Sequence, residues 1–345
     1  CYKKLNMSKK NSSVILKEGF KGFGDLSKTY FEFKKKFNHL KQNTYVVAVS
    51  GGPDSLALAA LTRALSFERK IKFYYVLVNH NLRKDSSKEA ILVKKLLKKN
   101  FFNLNILNNR SKISKNIQSQ ARLIRYKMLS NFCEKKGIKT IVTAHNLEDQ
   151  VETFFIRLSR GSGLTGLSGM KTFSSLKKNI NLFRPLLDVR KKILIKISKN
   201  IFGKFVNDPT NKNLKYLRSK IRNLEKPLEN SGINYNQIIR SIKNLASSKQ
   251  TLDEYYKKIL KDLLKDSKKQ VFINWRKFKD YNQEIKIRVI NDSIKKLRNN
   301  YYNPRSKKVL NLIKNLENKD FKQLALGGCL FIKKRDKLCL KLEKN

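Results

Sequence analysis

Cysteine is scarce in this chain: four in 345 residues, at positions 1, 133, 329 and 339, and no two form a Cys-x-x-Cys pair. That spacing argues against a disulfide framework and carries no zinc-knuckle or iron–sulfur signature, so a reducing compartment fits. Acidic residues are scarce too. Twenty-six Asp and Glu stand against 78 Lys and Arg, giving a formal charge of +52. A surface this positive attracts polyanions, nucleic acid first. The excess also fits an AT-rich coding bias that spreads Lys and Asn everywhere, so charge alone supports RNA or DNA binding weakly. No apolar run approaches the ~18 residues of a membrane span, which predicts no membrane partner. The first twenty residues lack the apolar core of a secretory signal. They are basic with one acid, Glu18, which leaves an organelle transit segment open, and Met7 is a candidate start. Repeats at solenoid periods are absent. What remains is a chain of about two domains by length, with the 40% hydrophobic content needed to bury a core.

The most informative stretch is Tyr45-Val46-Val47-Ala48-Val49-Ser50-Gly51-Gly52-Pro53-Asp54-Ser55. A β-branched run meets two glycines, then a carboxylate and a hydroxyl at the start of a helix-forming segment. Backbone N–H groups at a helix start are unpaired and carry partial positive charge. Gly51 and Gly52 let the main chain approach an anion, and Ser55 can cap the helix or donate to a phosphate. The Gly-Lys-Ser/Thr ending of a Walker A loop is missing, which argues against that class of nucleoside triphosphatase.

Apolar strands at 44–50, 73–79, 104–107, 139–144 and 181–187 alternate with helical spacing. This predicts an α/β fold with a doubly wound, five-stranded parallel sheet, whose ligands bind beyond the carboxyl ends of the strands. We expect four parts: a basic extension with a helix (1–40), the nucleotide-binding catalytic domain (41–212), a Lys-rich, mainly helical domain (213–300) and a small C-terminal α+β segment (301–345) with a β-hairpin in the stretches 324–332 and 338–342.

Several further constellations fall at strand ends. His80 and Arg83 follow the second strand. Arg122 and Arg125, three apart on one helix face, can grip phosphate bidentately, although a solvated basic face is common in so basic a chain. The densest stretch is Thr143-Ala144-His145-Asn146-Leu147-Glu148-Asp149-Gln150-Val151-Glu152. His145 and Asp149 are four apart and share a face. Carboxylates beside a triphosphate suit Mg²⁺, which takes oxygen ligands. Helix capping by acids is the plain alternative; it accounts for Glu148 but not for His145 and Asp149 together. Arg160 opens a run with glycines at 161, 163, 166 and 169, expected to be a mobile loop that closes over substrate. Asp208-Pro209-Thr210-Asn211 is a turn opening a helix, followed by Tyr216 and the basic cluster Arg218, Lys220 and Arg222, a candidate RNA-backbone contact.

Together these stretches resemble the tRNA(Ile)-lysidine synthase family of PP-loop ATP pyrophosphatase-type enzymes, in the family's order from about 44 to 227. The matching segments are 50–55, 80–86, 121–129, 143–152, 160–170, Arg184-Pro185-Leu186-Leu187 and 208–222. The tail Leu326-Gly327-Gly328-Cys329 looks like the short ending of some bacterial members. The resemblance implies adenylation by ATP of the C2 oxygen of the cytidine at the first anticodon position of a tRNA(Ile) with anticodon CAU. Free L-lysine then attacks C2 and AMP leaves; the product base, lysidine, reads A in place of G. It assigns Asp54, His145 and Asp149 to catalysis. Ser50, Gly51, Gly52, Pro53, Asp54, Ser55, His80, Arg122 and Arg125 go to ATP, Arg160, Arg218, Lys220 and Arg222 to tRNA, and Asp54 with Asp149 to Mg²⁺. A cytoplasmic enzyme of bacterial type is implied, with an organelle matrix or stroma also open and a homodimer compatible. The chain departs from the family at Asn79 and Glu148, where Asp is usual, and at Lys220, where Arg is common.

The rivals are another PP-loop enzyme, such as a tRNA thiolase or an amidating synthetase, and a non-enzymatic RNA-binding protein with a relic loop. Sulfur transfer wants paired reactive cysteines, which Cys133 alone does not supply. A glutaminase-coupled enzyme wants a second catalytic domain, for which no motif appears. Intact Asp54, Ser55, His145 and Asp149 argue against a relic.

Overall fold

The computed structural model describes residues 12–83, 85–111, 113, 117–177, 179–206, 217–267, 270–298, 304–318 and 321–343. Cys1, Met7, the Asp208-Pro209-Thr210-Asn211 turn and Tyr216 lie outside them. The chain divides into two compact units, Cys1–Ala246 and Ser247–Asn345.

The first unit opens with α1 (Ser12–Lys17) and α2 (Asp25–Lys36). An α/β alternation follows: β1 (Thr44–Val49), α3 (Pro53–Glu68), β2 (Lys72–Asn79), α4 (Ser86–Lys99), β3 (Leu104–Asn108), α5 (Ile117–Lys135), β4 (Thr140–Val142) and α6 (Leu147–Leu158). Next come α7 (Leu164–Leu167), β5 (Phe173–Lys177), β6 (Ile180–Phe183), α8 (Lys191–Phe202), α9 (Leu217–Arg222), α10 (Glu225–Asn230) and the long α11 (Tyr235–Leu263), whose residues from Ser247 onward belong to the second unit. The sheet order is β3-β2-β1-β4-β6-β5. Five strands run parallel, as the alternation predicts.

The sixth strand corrects the five-stranded expectation: β5 pairs antiparallel with β6 at the sheet edge. Its sequence, Phe-Ser-Ser-Leu-Lys, holds two apolar residues, and Phe173 is 41% exposed. An edge strand half in water needs no apolar run. Asn179, at φ 65°, lies in the turn to β6, a conformation Asn tolerates better than most residues.

Side chains of a strand alternate between faces, and β1 divides its own accordingly. Tyr45, Val47 and Val49 join one core with α2, α3, α4 and α8, while Val46 joins the other with Leu129 and Cys133 of α5. From Leu56 to Leu61, α3 is wholly buried. A helix apolar all round belongs inside, and this one fixes the loop at its start against the core.

The chain runs outward from β1 to β2 and β3, then returns to β4 on the other side. The carboxyl ends of β1 and β4 therefore flank the topological switch point, where open α/β sheets bind ligands.

The second unit holds an antiparallel sheet in the order β7-β8-β11-β10-β9, from β7 (Leu264–Asp266), β8 (Gln270–Asn274), β9 (Gln323–Leu326), β10 (Cys329–Lys334) and β11 (Lys337–Leu342). Helices α12 (Trp275–Asp280), α13 (Gln283–Arg298) and α14 (Ser306–Glu317) join it in one core that includes Phe278, Val289, Val309, Leu312, Phe331 and Leu340. The expected hairpin is β10–β11, and Gly327 and Gly328, both at positive φ, make the tight turn before it. The expected break at 300/301 does not divide this sheet, because β8 pairs with β11. A pairing so distant in sequence leaves no local trace at either strand. Among the described residues no helix is long and apolar enough to cross a membrane.

Candidate active site

The loop after β1 is braced by its own serines. Ser50 N and Ser50 Oγ both donate to Ser55 Oγ, at 3.1 and 3.2 Å, and Ser55 Oγ donates to Gly52 O at 3.0 Å. Ser55 thus folds the loop and does not cap the helix. Gly51 sits at φ +86°, and a Cβ there would lie 2.4 Å from Val93 Cγ2, so both backbone and space demand glycine. Pro53 takes the first position of α3, where its missing N–H costs nothing. The remaining N–H groups of that turn form an anion cradle.

Asp54 follows directly. Its Oδ1 is buried without a hydrogen-bond partner. Burial pushes its carboxyl up to about 6; Asp149 and Glu148 push the same way, while Lys191 and the Asn146 side chain oppose them.

Across the switch point, β4 leads into α6 through Thr143, His145 and Asn146. Asn146 and Asp149 form a reciprocal capping box: Asp149 N donates to Asn146 Oδ1 at 2.9 Å, and Asn146 N to Asp149 Oδ2 at 3.1 Å. This corrects the expected division of labour. Asp149 is the acid that caps α6, whereas Glu148 reaches away and accepts from Lys191 N, at the start of α8, at 2.9 Å.

Asp149 Oδ1 also meets Arg218 at 3.4 Å. One turn on, the Glu152 side chain is 4% exposed and held by Arg218 Nε at 2.5 Å and Arg222 Nε at 2.6 Å. The guanidinium groups of Arg218 and Arg222 therefore point into the site and tie α9 to α6, while Lys220 between them is exposed. Arg160 is also exposed, beyond the end of α6.

His145 Nδ1 lies 2.9 Å from Thr143 Oγ1. Burial, then Arg184, Arg122, Arg218 and Arg125, hold its imidazole well below the usual histidine range. The positive charge of these four arginines disfavours a cationic ring. On the β2 side, His80 and Asn81 line a pocket of about 590 Å³ with Asn109, Arg110 and Ser111. Burial and Arg125 push His80 down to about 4, and Arg125 Nε lies 3.5 Å from His80 Nε2. The exposed Arg122 stacks its guanidinium 5.0 Å from the Tyr126 ring centroid.

The glycine-rich run is tied back to α6. It contains α7, and Arg157 donates to the carbonyls of Gly166 and Gly169 at 2.6 and 3.1 Å. Gln150 clasps Met170 in both directions. Arg157, Gln150, Lys191 and Arg184 are site residues that the sequence reading did not assign. Two signals could have found Arg184: it opens the Arg184-Pro185-Leu186-Leu187 segment that carries the resemblance, and it follows a strand beside the β4 exit.

Comparison with known proteins bears on this geometry. Residues 26–228 match a family described as PP-loop domain. A tRNA(Ile)-lysidine synthase of Wolbachia pipientis is 34% identical over 294 residues, covering 83% of this chain and 68% of that protein. One of Anaplasma marginale is 31% identical, covering 88% and 66%. The chain belongs to the tRNA(Ile)-lysidine synthase family. It shares its fold, at 18% identity and a TM-score of 0.54, with a structure described as the U34-tRNA thiolase NcsA from Methanococcus maripaludis with its [4Fe-4S] cluster; the match covers 64% of this chain and 78% of that one. The thiolase reading of this lysidine-synthase relative is weakened by Cys133, which is buried with its thiol pushed up to about 12 and so lacks the thiolate that sulfur transfer needs.

The chain's departure at Asn79 has a structural use. Asn79 donates to Ser87 Oγ and Asn108 Oδ1, both at 3.1 Å, and accepts from Asn81 N at 3.1 Å. The amide knits the ends of β2 and β3 to the start of α4, a donor role that a carboxylate cannot fill. Among the described residues no three His, Cys, Asp or Glu cluster as a metal site.

Proposed function

We propose that this chain forms lysidine in a tRNA(Ile) whose anticodon is CAU. The cytidine C2 oxygen attacks the α-phosphorus of ATP, the α–β phosphoanhydride bond breaks, and pyrophosphate leaves. The ε-amine of free L-lysine then forms a bond to C2, loses a proton, and expels AMP with the former C2 oxygen. The single observation that carries this reading is the opposition, across one switch point, of the glycine loop with the unpartnered Oδ1 of Asp54 to His145 at the exit of β4.

The roles follow from chemistry. Ser50, Gly51, Gly52 and the first turn of α3 cradle phosphates, with Arg122 and Arg125 as counter-charges. The orphaned Asp54 oxygen fits a divalent cation, and oxygens of the nucleotide complete a set of the kind Mg²⁺ prefers. Asp149 supplies less, since the capping box and Arg218 share its oxygens. Mg²⁺, when bound, neutralises charge on the triphosphate. Arg218 and Arg222 act in the site through Glu152, and the exposure of Lys220 and Arg160 supports assigning the tRNA phosphate contacts to them.

Incubation with ATP, L-lysine and a CAU-anticodon transcript tests this. AMP release should require both lysine and tRNA, and mass analysis of the anticodon should show one lysine added with loss of water. Lysine-independent AMP release with incorporation of sulfur would instead favour a thiolase.

A further inference from the structure

Thr143 is buried, at 7% exposed, and its hydroxyl has one hydrogen-bond partner among the described residues, His145 Nδ1 at 2.9 Å. A distance does not say which atom donates, but counting does. If Nδ1–H donated to Oγ1, the threonine hydroxyl hydrogen would need another acceptor, and that hydroxyl makes no other hydrogen bond among the described residues. In the alternative, Thr143 O–H donates to a bare Nδ1 and the ring proton moves to Nε2, which is not among the buried unpartnered atoms and so can meet solvent or ligand. A buried donor left unpaired costs about 1–3 kcal/mol, which selects this arrangement.

We infer that Thr143 is a positioning residue that locks His145 as the Nε2–H tautomer, so that His145 serves as a neutral hydrogen-bond donor and not as a general base. Its lone pair is spent on Thr143, and its remaining nitrogen can only donate. The positive charge of Arg184, Arg122, Arg218 and Arg125 disfavours a further positive charge on the ring, so the ring adds a directed donor without a proton of its own to gain. The ligand such a donor fits is an anionic oxygen, on the triphosphate or on departing AMP. The role in the reaction rests on the proposed function; the tautomer does not.

The experiment begins with the full, ligand-free chain. It contains three histidines, His39, His80 and His145, so a long-range ¹H–¹⁵N spectrum of the labelled protein resolves three imidazoles, and His145→Gln assigns one. The expected pattern for His145 at a pH of about 7.5, above the ordinary histidine range, is a protonated Nε2 and a bare Nδ1. A protonated Nδ1, or a ring protonated at both nitrogens, overturns the inference. Thr143→Val should mix the tautomers and slow tRNA-dependent ATP–pyrophosphate exchange by roughly tenfold, a fraction of what losing a preorganised donor outright costs. Thr143→Ser should restore both signals. Full exchange activity in a folded Thr143→Val protein also overturns the positioning role; if that variant does not fold, the wild-type spectrum decides. The tautomer appearing as expected without lysine-dependent AMP release sinks the proposed reaction and leaves the lock standing.

Discussion

Replacing Asp54 by Asn should stabilise the ligand-free protein while abolishing adenylation. The carboxyl is pushed up to about 6, from an ordinary value of about 3.9. A group whose folded-state pKa is raised binds its proton more tightly in the native state. Stability therefore falls as pH rises through the window from about 4 to about 6, and above it the native state carries the full cost of a buried charge. Two units correspond to about 3 kcal/mol at most; partial solvation cuts this to about 1–2 kcal/mol. In a unit of this size that is about 3–6 °C in Tm. The Asp54→Asn side chain would keep the shape and shed the charge. Paired denaturation curves at a pH of about 4 and of about 7.5, on either side of that window, should show no gain at the lower pH and the full gain at the higher. Far-UV circular dichroism is the appropriate probe, because the single tryptophan, Trp275, lies in the other unit. Mg²⁺–ATP should raise the Tm of the wild type and not of the variant, and adenylation should drop on the order of a hundredfold or more. An equal gain at both pH values, or a loss at the higher one, would refute the claim that Asp54 is held charged against its surroundings for the sake of its ligand.

Gly51→Ala should lower thermal stability by roughly 1–3 kcal/mol, since the backbone at φ +86° and the Val93 methyl both resist a side chain; adding Val93→Ala should return only the steric share. Glu152→Gln removes the shared counter-charge of Arg218 and Arg222, and with both arginines partly solvated the cost should be about 1–3 kcal/mol, visible as faster amide exchange throughout α9. Lys220→Ala should reduce the slope of log affinity against log salt by up to about 1, equally for cognate tRNA(Ile) and a methionine tRNA; a loss confined to the cognate tRNA would mark Lys220 as a specificity contact. Arg218→Ala should slow catalysis beyond any change in tRNA affinity, because Arg218 engages Glu152 and Asp149; a pure affinity loss would return it to the backbone-binding set.

The parallel sheet was legible because a buried strand must be apolar along its length and its helices must show a 3.6-residue stripe. The loop at 50–55 was legible because its backbone needs glycine at a fixed place between strand and helix. The edge strand β5 was not, since half its side chains face water and no apolar run is required. Residues of the second sheet were hidden for another reason: β8 and β11 find each other across the sequence, and neither announces a partner.

The acids of α6 show how far a local pattern reaches. Glu148, Asp149 and Glu152 crowd one helix start, and charge at a helix N-terminus does not say which of them caps and which reaches elsewhere. Their fates differ because of what the fold brings from elsewhere. Glu148 meets the first turn of α8, Asp149 meets its own helix start, and Glu152 meets two arginines 66 and 70 residues away in sequence. An arginine that reads as a tRNA contact in a basic run becomes, once a buried carboxylate is placed opposite, part of the wall of the active site. Two guanidiniums on one nearly inaccessible carboxylate satisfy its charge from within the protein, which is why the excess positive charge of so basic a chain identifies a nucleic-acid surface only after such internal pairs are set aside.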